Sequence, residues 1–482
     1  MADGGQAVLT DAVVVGGGPN GLAAAIVLAR AGRSVRLVEA RDSVGGGCRS
    51  AKLTLPGVVH DVCSAIHPLA RSSPLFRELD LDRHGLAWIE PPIQIAHPLD
   101  DGRAALVYRD VRRTVATFDD AADARAYQGW MEPIAADWDL VVRHLLGPLP
   151  LGAIRHPVAL GRFALPAVLP MAAVARRFSS PMLRALLAGC GAHSFLPLTA
   201  PLTGGIGLSL LASAHAVGWP LPRGGAGRIV DALASVLREA GGEIETGVEV
   251  RDLRELPPHR AALLDLTPRQ VLAVAGDRLR GLYAAQLRRY RYGPGTFKLD
   301  LVLDGPVPWR IPELADAGTV HLGGTFAEVA ASERAVSRGR VHERPFVLLA
   351  QPSRFDPTRA PEGRHVVWAY CHVPNGWDGG ATERILGQLE RFAPGVRDRI
   401  VAQHALTPAA LEAYNPNDVG GDINGGLMHW AQFFTRPALR LDPYSTPDPG
   451  IFVCSASTPP GGGVHGLCGM HAAHSALRGV LA

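Results

Sequence analysis

The sequence predicts an α/β protein organised around a parallel sheet flanked by helices, and three observations carry that expectation. The apolar, β-branched run of residues 11–15 enters a Gly16-x-Gly18-x-x-Gly21 turn, followed by an Ala-rich stretch that closes on Gly32. A second apolar run, residues 34–39, then ends on Glu39. Finally, residues 449–481 read as a strand, a Pro/Gly-rich turn and a closing helix. Together they predict a Rossmann-like dinucleotide-binding domain, discontinuous in sequence, with an inserted substrate domain made of a mixed sheet and helices.

Each element has a physical reason. Uninterrupted valines suit a strand covered on both faces. Gly16 permits the tight turn, Gly18 lets the backbone approach a pyrophosphate, and Gly21 lets helix and strand pack closely. Pro19 and Asn20 open the helix whose N-terminus stabilises phosphate charge. Glu39 stands near the offset at which a carboxylate grips a ribose, and Ala40 and Arg41 adjoin it as further cofactor candidates.

Two more stretches choose between nicotinamide and flavin. Gly45, Gly46 and Gly47 precede Arg49 directly after the second strand. Such glycines let the backbone pass a bulky cofactor, and one arginine can reach the pyrophosphate or the flavin edge. Gly461, Gly462 and Gly463 precede Val464, His465 and Gly466 at the last helix start, where amides can stabilise charge on a reduced flavin. These features select FAD. The other G-x-G-x-x-G spacing, Gly461-x-Gly463-x-x-Gly466, falls in that C-terminal turn, and no further one follows a strand, which argues against a dedicated NAD(P)H site.

Composition narrows the class. The 482 residues are 47% hydrophobic and 19% charged, which describes a globular chain long enough for two domains. Forty-eight basic side chains against 45 acidic ones give no electrostatic reason for a nucleic-acid partner. Lysine occurs only at Lys52 and Lys298. The six cysteines form no C-x-x-C pair, so a disulfide framework, a zinc site and a dithiol centre lack support. The first ten residues carry an acid and no base, unlike a signal peptide. No run reaches the roughly 18 apolar residues of a membrane span. A cytoplasmic protein is expected, soluble or resting on a membrane surface.

Residues 1–75, 222–296 and 446–482 are expected to form the FAD-binding domain, and 76–221 and 297–445 the substrate domain. In the latter, Pro148, Pro150, Pro157, Pro166 and Pro170 break an apolar stretch into short helices. With Arg162, Arg176 and Arg177 beside it, that stretch reads as an apolar helical lid, a patch on lipid headgroups, or an ordinary helical core. Phe297, Leu299, Leu301 and Leu303 alternate with Lys298, Asp300 and Val302, a period-two strand with a polar face.

These motifs resemble the FAD-binding fold of the phytoene desaturases and flavin amine oxidases, and within it the pyridine nucleotide-disulfide oxidoreductase domain-containing protein 2 group. The resemblance rests on "VVVGGGPNGLAAA", "GVVHDVCSAIHP", "PRGGAGRIVDALASVLREAGGEI", "GPGTFKLDLVLDGPVPW" and "STPPGGGVHGLCGMHAA". It implies FAD contacts at Gly16, Gly18, Gly21, Glu39 and Arg49, beside Gly46 and Gly47 of the loop read above, and a backbone contact to adenine at Val250. It further implies that Gly463 and Val464 lie by the isoalloxazine, and Ser457 is a further cofactor-binding candidate. Three departures stand out. His465 replaces a usual proline, the acid often found near the last FAD strand is missing, and the disulfide of the group's name has no counterpart.

For chemistry, Lys298 resembles the lysine that holds a water near flavin N5 in amine oxidases, which tilts towards an oxidase. The plain alternative is a lysine snorkelling from an edge strand. His465 suits an acid or base near neutral pH, or a helix-start residue packed on the cofactor. His60, Asp61 and His67 offer polar groups for substrate at the same mouth, at a spacing that fits no common metal site. No G-x-S-x-G elbow supports a hydrolase. The expected function is an FAD-dependent oxidoreductase that takes hydride from a lipophilic small molecule, with O2 or a quinone as acceptor. A flavin amine oxidase is one alternative, although no aromatic pair can be placed around an amine. A non-catalytic FAD-binding regulator or scaffold is another.

Overall fold

The computed structural model describes residues 9–147 and 156–482, so Pro148 and Pro150 of the expected lid lie outside the described residues. Two large sheets are built from β1 (Thr10–Val15), β2 (Val35–Glu39), β3 (Ile93–Pro98), β4 (Ala104–Val107), β5 (Glu243–Thr246), β6 (His259–Leu264), β7 (Gly295–Leu303), β8 (Ala317–Leu322), β9 (Val347–Ala350), β10 (His365–Val373), β11 (Ile400–Leu406) and β12 (Ile451–Val453). The helices that bear on the site are α1 (Pro19–Arg30), α2 (Pro157–Ala167), α3 (Pro181–Ala192), α4 (Thr203–Ala216), α5 (Gly227–Glu239), α6 (Phe326–Ser337), α7 (Thr382–Phe392) and α8 (Leu467–Arg478).

The first sheet runs β12–β6–β1–β2–β5, and every neighbouring pair is parallel. Ala12 and Val14 of β1 join the core built with α1, α5 and α8. Val13 and Val15 face the opposite layer, with Val271, Leu279 and Tyr283. Both faces are covered, which is why the strand reads as a continuous apolar run. Full burial of each valine contributes roughly 1.5–3 kcal/mol.

The second sheet runs β11–β7–β10–β9–β8–β3–β4, antiparallel except where β3 meets β8. Its alternation sorts two environments. Phe297, Leu299 and Leu301 pack with Val367, Ala369 and Ile385 of α7 on one face. On the other, Lys298 pairs in register with Tyr370 and Asp300 with Trp368. All nine residues of β7 are buried, and β10 and β11 flank it. The polar face is therefore turned inward, and Lys298 does not snorkel from an edge.

Among the helices after residue 156, α3 and α4 bury Leu183, Leu186, Leu187, Leu208 and Leu211 in the same core as α1. They form ordinary core rather than a lid. In the stretch expected as a lid, α2 and its C-cap do offer water an apolar surface, through Val158, Leu165 and Val168, with Leu165 75% exposed. No helix among the described residues is long and apolar enough to cross a membrane.

Candidate functional site

In the first sheet β1 has β2 on one side and β6 on the other, so the chain order reverses there and leaves a crevice at the strand ends. The glycine turn fills that position. Gly16 has φ +104°, and a Cβ on Gly21 would stand 1.9 Å from the Gly16 carbonyl oxygen, so neither site admits a side chain. Pro19 follows as the first helical residue, which needs no amide donor. Glu39, at the end of β2, accepts from the Gly17 amide (2.7 Å) and the Arg41 amide (2.9 Å). The Arg49 guanidinium donates to the same carboxylate at 2.9 Å, and both side chains are nearly buried.

Two cavities open from this edge. The first, about 280 Å³, is lined by Gly16, Gly18, Glu39, Ala40, Arg41, Gly46, Arg49 and Val250. The second, about 310 Å³, shares Gly18 and Gly46 and adds Pro19, Asn20, Gly47, His67, Gly463 and Val464. Gly21 stands behind the wall, and its amide donates to Asp265 at 2.9 Å. The remaining sequence-predicted residues lie outside both walls. Ser457 donates its hydroxyl to the Gly425 carbonyl at 2.8 Å. His465 is wholly buried, accepts from the Leu467 amide through Nδ1 at 3.0 Å, and burial lowers its pKa to about 4. It packs at the start of α8 as a neutral imidazole.

The expected grouping of His60, Asp61 and His67 at one mouth needs correction. The short ribbon of Ser50–Ala51 with His60–Asp61 turns the latter pair into the protein. There Asp61 accepts from Arg359 (2.6 Å), Ser50 (2.8 Å) and the Ala226 amide (2.7 Å). His60 meets Thr54 at 2.7 Å and lies 3.4 Å from Asp300. Only His67 reaches the cavity; neither ring nitrogen has a partner among the described residues, and burial lowers its pKa to about 4. Lys298 forms a buried ion pair with Asp300, its Nζ 5.9 Å from the Trp368 ring centre. Trp368 lines the cavity and Lys298 does not, so the lysine stands one side chain back.

Other residues were not read from the sequence. Asp265, two positions before Thr267 in "LLDLTP", lines both cavities. Burial raises its pKa to about 7, against the Gly21 amide that favours its ionised form. Asp418 also lines the second cavity, raised well above the usual carboxylate range by burial and by Asp422. Asn415 and Asn417 reach both cavities, and Asn417 donates to the Asp265 carbonyl at 2.9 Å. An aromatic pair is also present. Trp368 and Tyr370, on one face of β10, line the second cavity with ring centres 5.1 Å apart and planes at 86°. Trp219 joins them, its indole donating to Thr319 at 2.8 Å.

The arrangement fits a two-part dinucleotide. A Cβ on Gly18 would lie 2.7 Å from Asp265 Oδ2 and one on Gly46 would lie 3.3 Å from the Gly18 Cα, so side chains here would fill the passage between cavities. Asn20 adds a buried Oδ1 without a partner among the described residues.

Comparison with known proteins agrees with this geometry. Residues 14–80 match the model of an NAD(P)-binding Rossmann-like domain. The chain is 27% identical to pyridine nucleotide-disulfide oxidoreductase domain-containing protein 2 of Rattus norvegicus, over 97% of this chain and 93% of the relative. It is 28% identical to a neurosporene-forming phytoene desaturase of Rhodobacter capsulatus, over 95% of this chain and 92% of that one. Cyclohexylamine oxidase from Brevibacterium oxydans has the same fold, with a TM-score of 0.58 at 14% identity, covering 98% of this chain and 99% of that one. By sequence likeness along nearly its whole length the chain is an oxidoreductase similar to the phytoene desaturases, and it shares its fold with cyclohexylamine oxidase.

Proposed function

We propose that the chain binds FAD across the two cavities and dehydrogenates a lipophilic small molecule held in the second. The supporting observation is the junction: Gly18, Gly46, Asp265, Asn415 and Asn417 belong to both walls. The first cavity has the features of an adenosine site, with Glu39 placed for a ribose and Val250 for adenine. The second suits an isoalloxazine between Gly463 and Val464, with substrate against Leu210, Trp219, Leu348 and Tyr370. Flavin bound there supplies a two-electron acceptor for hydride. The chain's own part is to orient the substrate between aromatic faces, exclude water with apolar side chains, and hold neutral the imidazole of His67.

The perpendicular pair Trp368 and Tyr370 also favours a second reading, an amine oxidase that uses O2. Lys298, touching Trp368 from behind, is a positioning residue in that reading. A surface contact with lipid through α2 is part of the proposal, supported by exposed Val158 and Leu165 beside half-exposed Arg162.

Anaerobic reduction of the FAD-loaded protein followed by reoxidation in air tests the choice. Reoxidation slowed about tenfold or more when O2 is the acceptor, and restored by a quinone, is the expected dehydrogenase result. Fast reoxidation in air that Lys298→Met slows would favour the amine oxidase. Failure to retain any flavin would refute both.

A further inference from the structure

Eleven large apolar side chains stand exposed among the described residues, and five of them belong to two stretches that pack together: Leu282, Trp430, Phe434, Leu439 and Leu441. Single exposed leucines are ordinary, whereas a cluster marks a contact surface. Hydrogen bonds set the contiguity. The short helix Trp430–Thr435 lies against Arg291, whose amide donates to the Gln432 side chain at 2.9 Å and whose carbonyl accepts from it at 2.8 Å. The Leu439 amide then donates at 2.8 Å to Gln286 of the helix Gly281–Arg288, one turn from Leu282. Arg440 lies over the Tyr283 ring of that same helix. None of the six residues of the short helix is buried. Trp430 and Phe434, four positions apart, give it one apolar face, more than half exposed at both, and Leu441 is fully in water.

Charge indicates what covers this face. Residues 281–291 and 427–441 contain five arginines and no acid. Arg436 is buried, bonded to Tyr290 and to the Gly425 and Ser457 carbonyls. Arg288, Arg289, Arg291 and Arg440 are exposed, and none pairs with a carboxylate among the described residues. The flanking acids are engaged elsewhere: Asp277 with Arg280, Asp448 with Arg278, Asp442 with Ser475, and Asp422 with the Gly293 and Asn424 amides. A second copy of the chain fits poorly. In a two-fold dimer the face would meet itself, arginine opposite arginine with no acid to pair. A bilayer with anionic headgroups supplies what is missing: phosphate for the arginines, acyl chains for the leucines, and an interfacial layer in which tryptophan settles.

We propose that the face built by the helix Gly281–Arg288 and residues 427–441 docks on an anionic lipid bilayer, its apolar side chains entering the acyl layer and its arginines meeting headgroup phosphates. The face begins two residues past Gly425 of the cavity wall, so docking sets the membrane beside the second cavity. It shares no residue with α2, and it holds whatever that cavity binds.

Sedimentation of the FAD-loaded protein with vesicles tests it, using phosphatidylcholine alone and phosphatidylcholine mixed with phosphatidylglycerol. Native protein should pellet about tenfold more with the mixed vesicles, and high salt should erase the difference. Phe434→Glu combined with Leu441→Glu should lower that pelleting about tenfold, with flavin content and Tm unchanged because both side chains already face water. Arg289→Gln combined with Arg291→Gln should also cost about tenfold on mixed vesicles and nothing on neutral ones. Brominated acyl chains should quench native fluorescence and quench Trp430→Phe much less, although that variant still docks; contact by charge alone gives no quenching. Pelleting that survives the double glutamate variant overturns the proposal, and so does loss confined to Leu165→Glu, which would give the contact to α2. A native dimer in gel filtration that the glutamates dissolve overturns it too, since the face would then belong to a second copy. No pelleting with either vesicle refutes lipid and leaves an acidic protein as the fitting partner. Flavin-free protein should dock equally, so failure of the proposed function and failure of docking are read separately.

Discussion

A carboxyl group facing a glycine turn proposed to hold phosphate is an unusual neighbour, and Asp265 occupies that place. Its Oδ2 accepts from the Gly21 amide, yet it is only 6% exposed and shares the crevice with Glu39. Its folded pKa is raised from 3.8 to about 7, chiefly by burial. Between those values the folded protein keeps a proton that the unfolded chain has lost. Stability therefore falls as pH rises through that window and levels off above it. Asn keeps an acceptor for Gly21 and has no charge to bury. Asp265→Asn should stabilise the fold more at pH 8 than at pH 5, by on the order of 1.4 kcal/mol per pH unit of window crossed, and so raise Tm more at pH 8. Thermal melts of both proteins at the two pH values decide it; equal gains, or losses at both, refute the account. A protonated Asp265 also brings no negative charge to compete with a cofactor phosphate at the helix N-terminus.

Local pattern made the β1–α1–β2 unit legible, because each signal lies within a few residues of the next and physical cause follows spacing. The ends of β6 and β10 were not legible in that way. Asp265 is a strand-terminal acid like Glu39, and only the missing glycine fingerprint before it hid the parallel. Trp368 and Tyr370 announce a shared face but not what that face meets. The same limit applied to the stretch after residue 156. Helices α3 and α4 are apolar nearly all round, as buried helices are, but burial depends on partners elsewhere in the chain. On α2 the outcome differs, with Leu165 75% exposed and Arg162 half-exposed nearby. An apolar stripe with a cation suits an anionic lipid surface. Protein that pellets with anionic vesicles should do so several-fold less after Leu165→Glu, with FAD content unchanged. Equal pelleting of the two proteins would remove α2 from any lipid contact.

At the scale of the whole molecule, the two sheets meet around the passage between the cavities. Elements from both sides supply it: the glycine turn and Asp265 from the parallel sheet, and Asn415 and Asn417 from the segment that follows β11. Asn417 ties them together, accepting from the Thr267 amide at 3.0 Å while donating to the Asp265 carbonyl. A ligand long enough to cross the passage touches both bodies, whereas one confined to the first cavity touches mainly the parallel sheet. Binding to the folded state stabilises by mass action, about 2.7 kcal/mol at a hundredfold excess over Kd. Apoprotein should therefore show a Tm that climbs with the logarithm of FAD concentration, and ADP, which resembles the half assigned to the first cavity, should give a smaller climb at equal concentration. NAD+ shares that half but carries no isoalloxazine to meet Gly463 and Val464, so its shift should stay close to that of ADP. Thermal melts across a concentration series of the three ligands check the order. An NAD+ shift equal to that of FAD would mean that the second cavity does not select a flavin, and the assignment of the cofactor would fall with it.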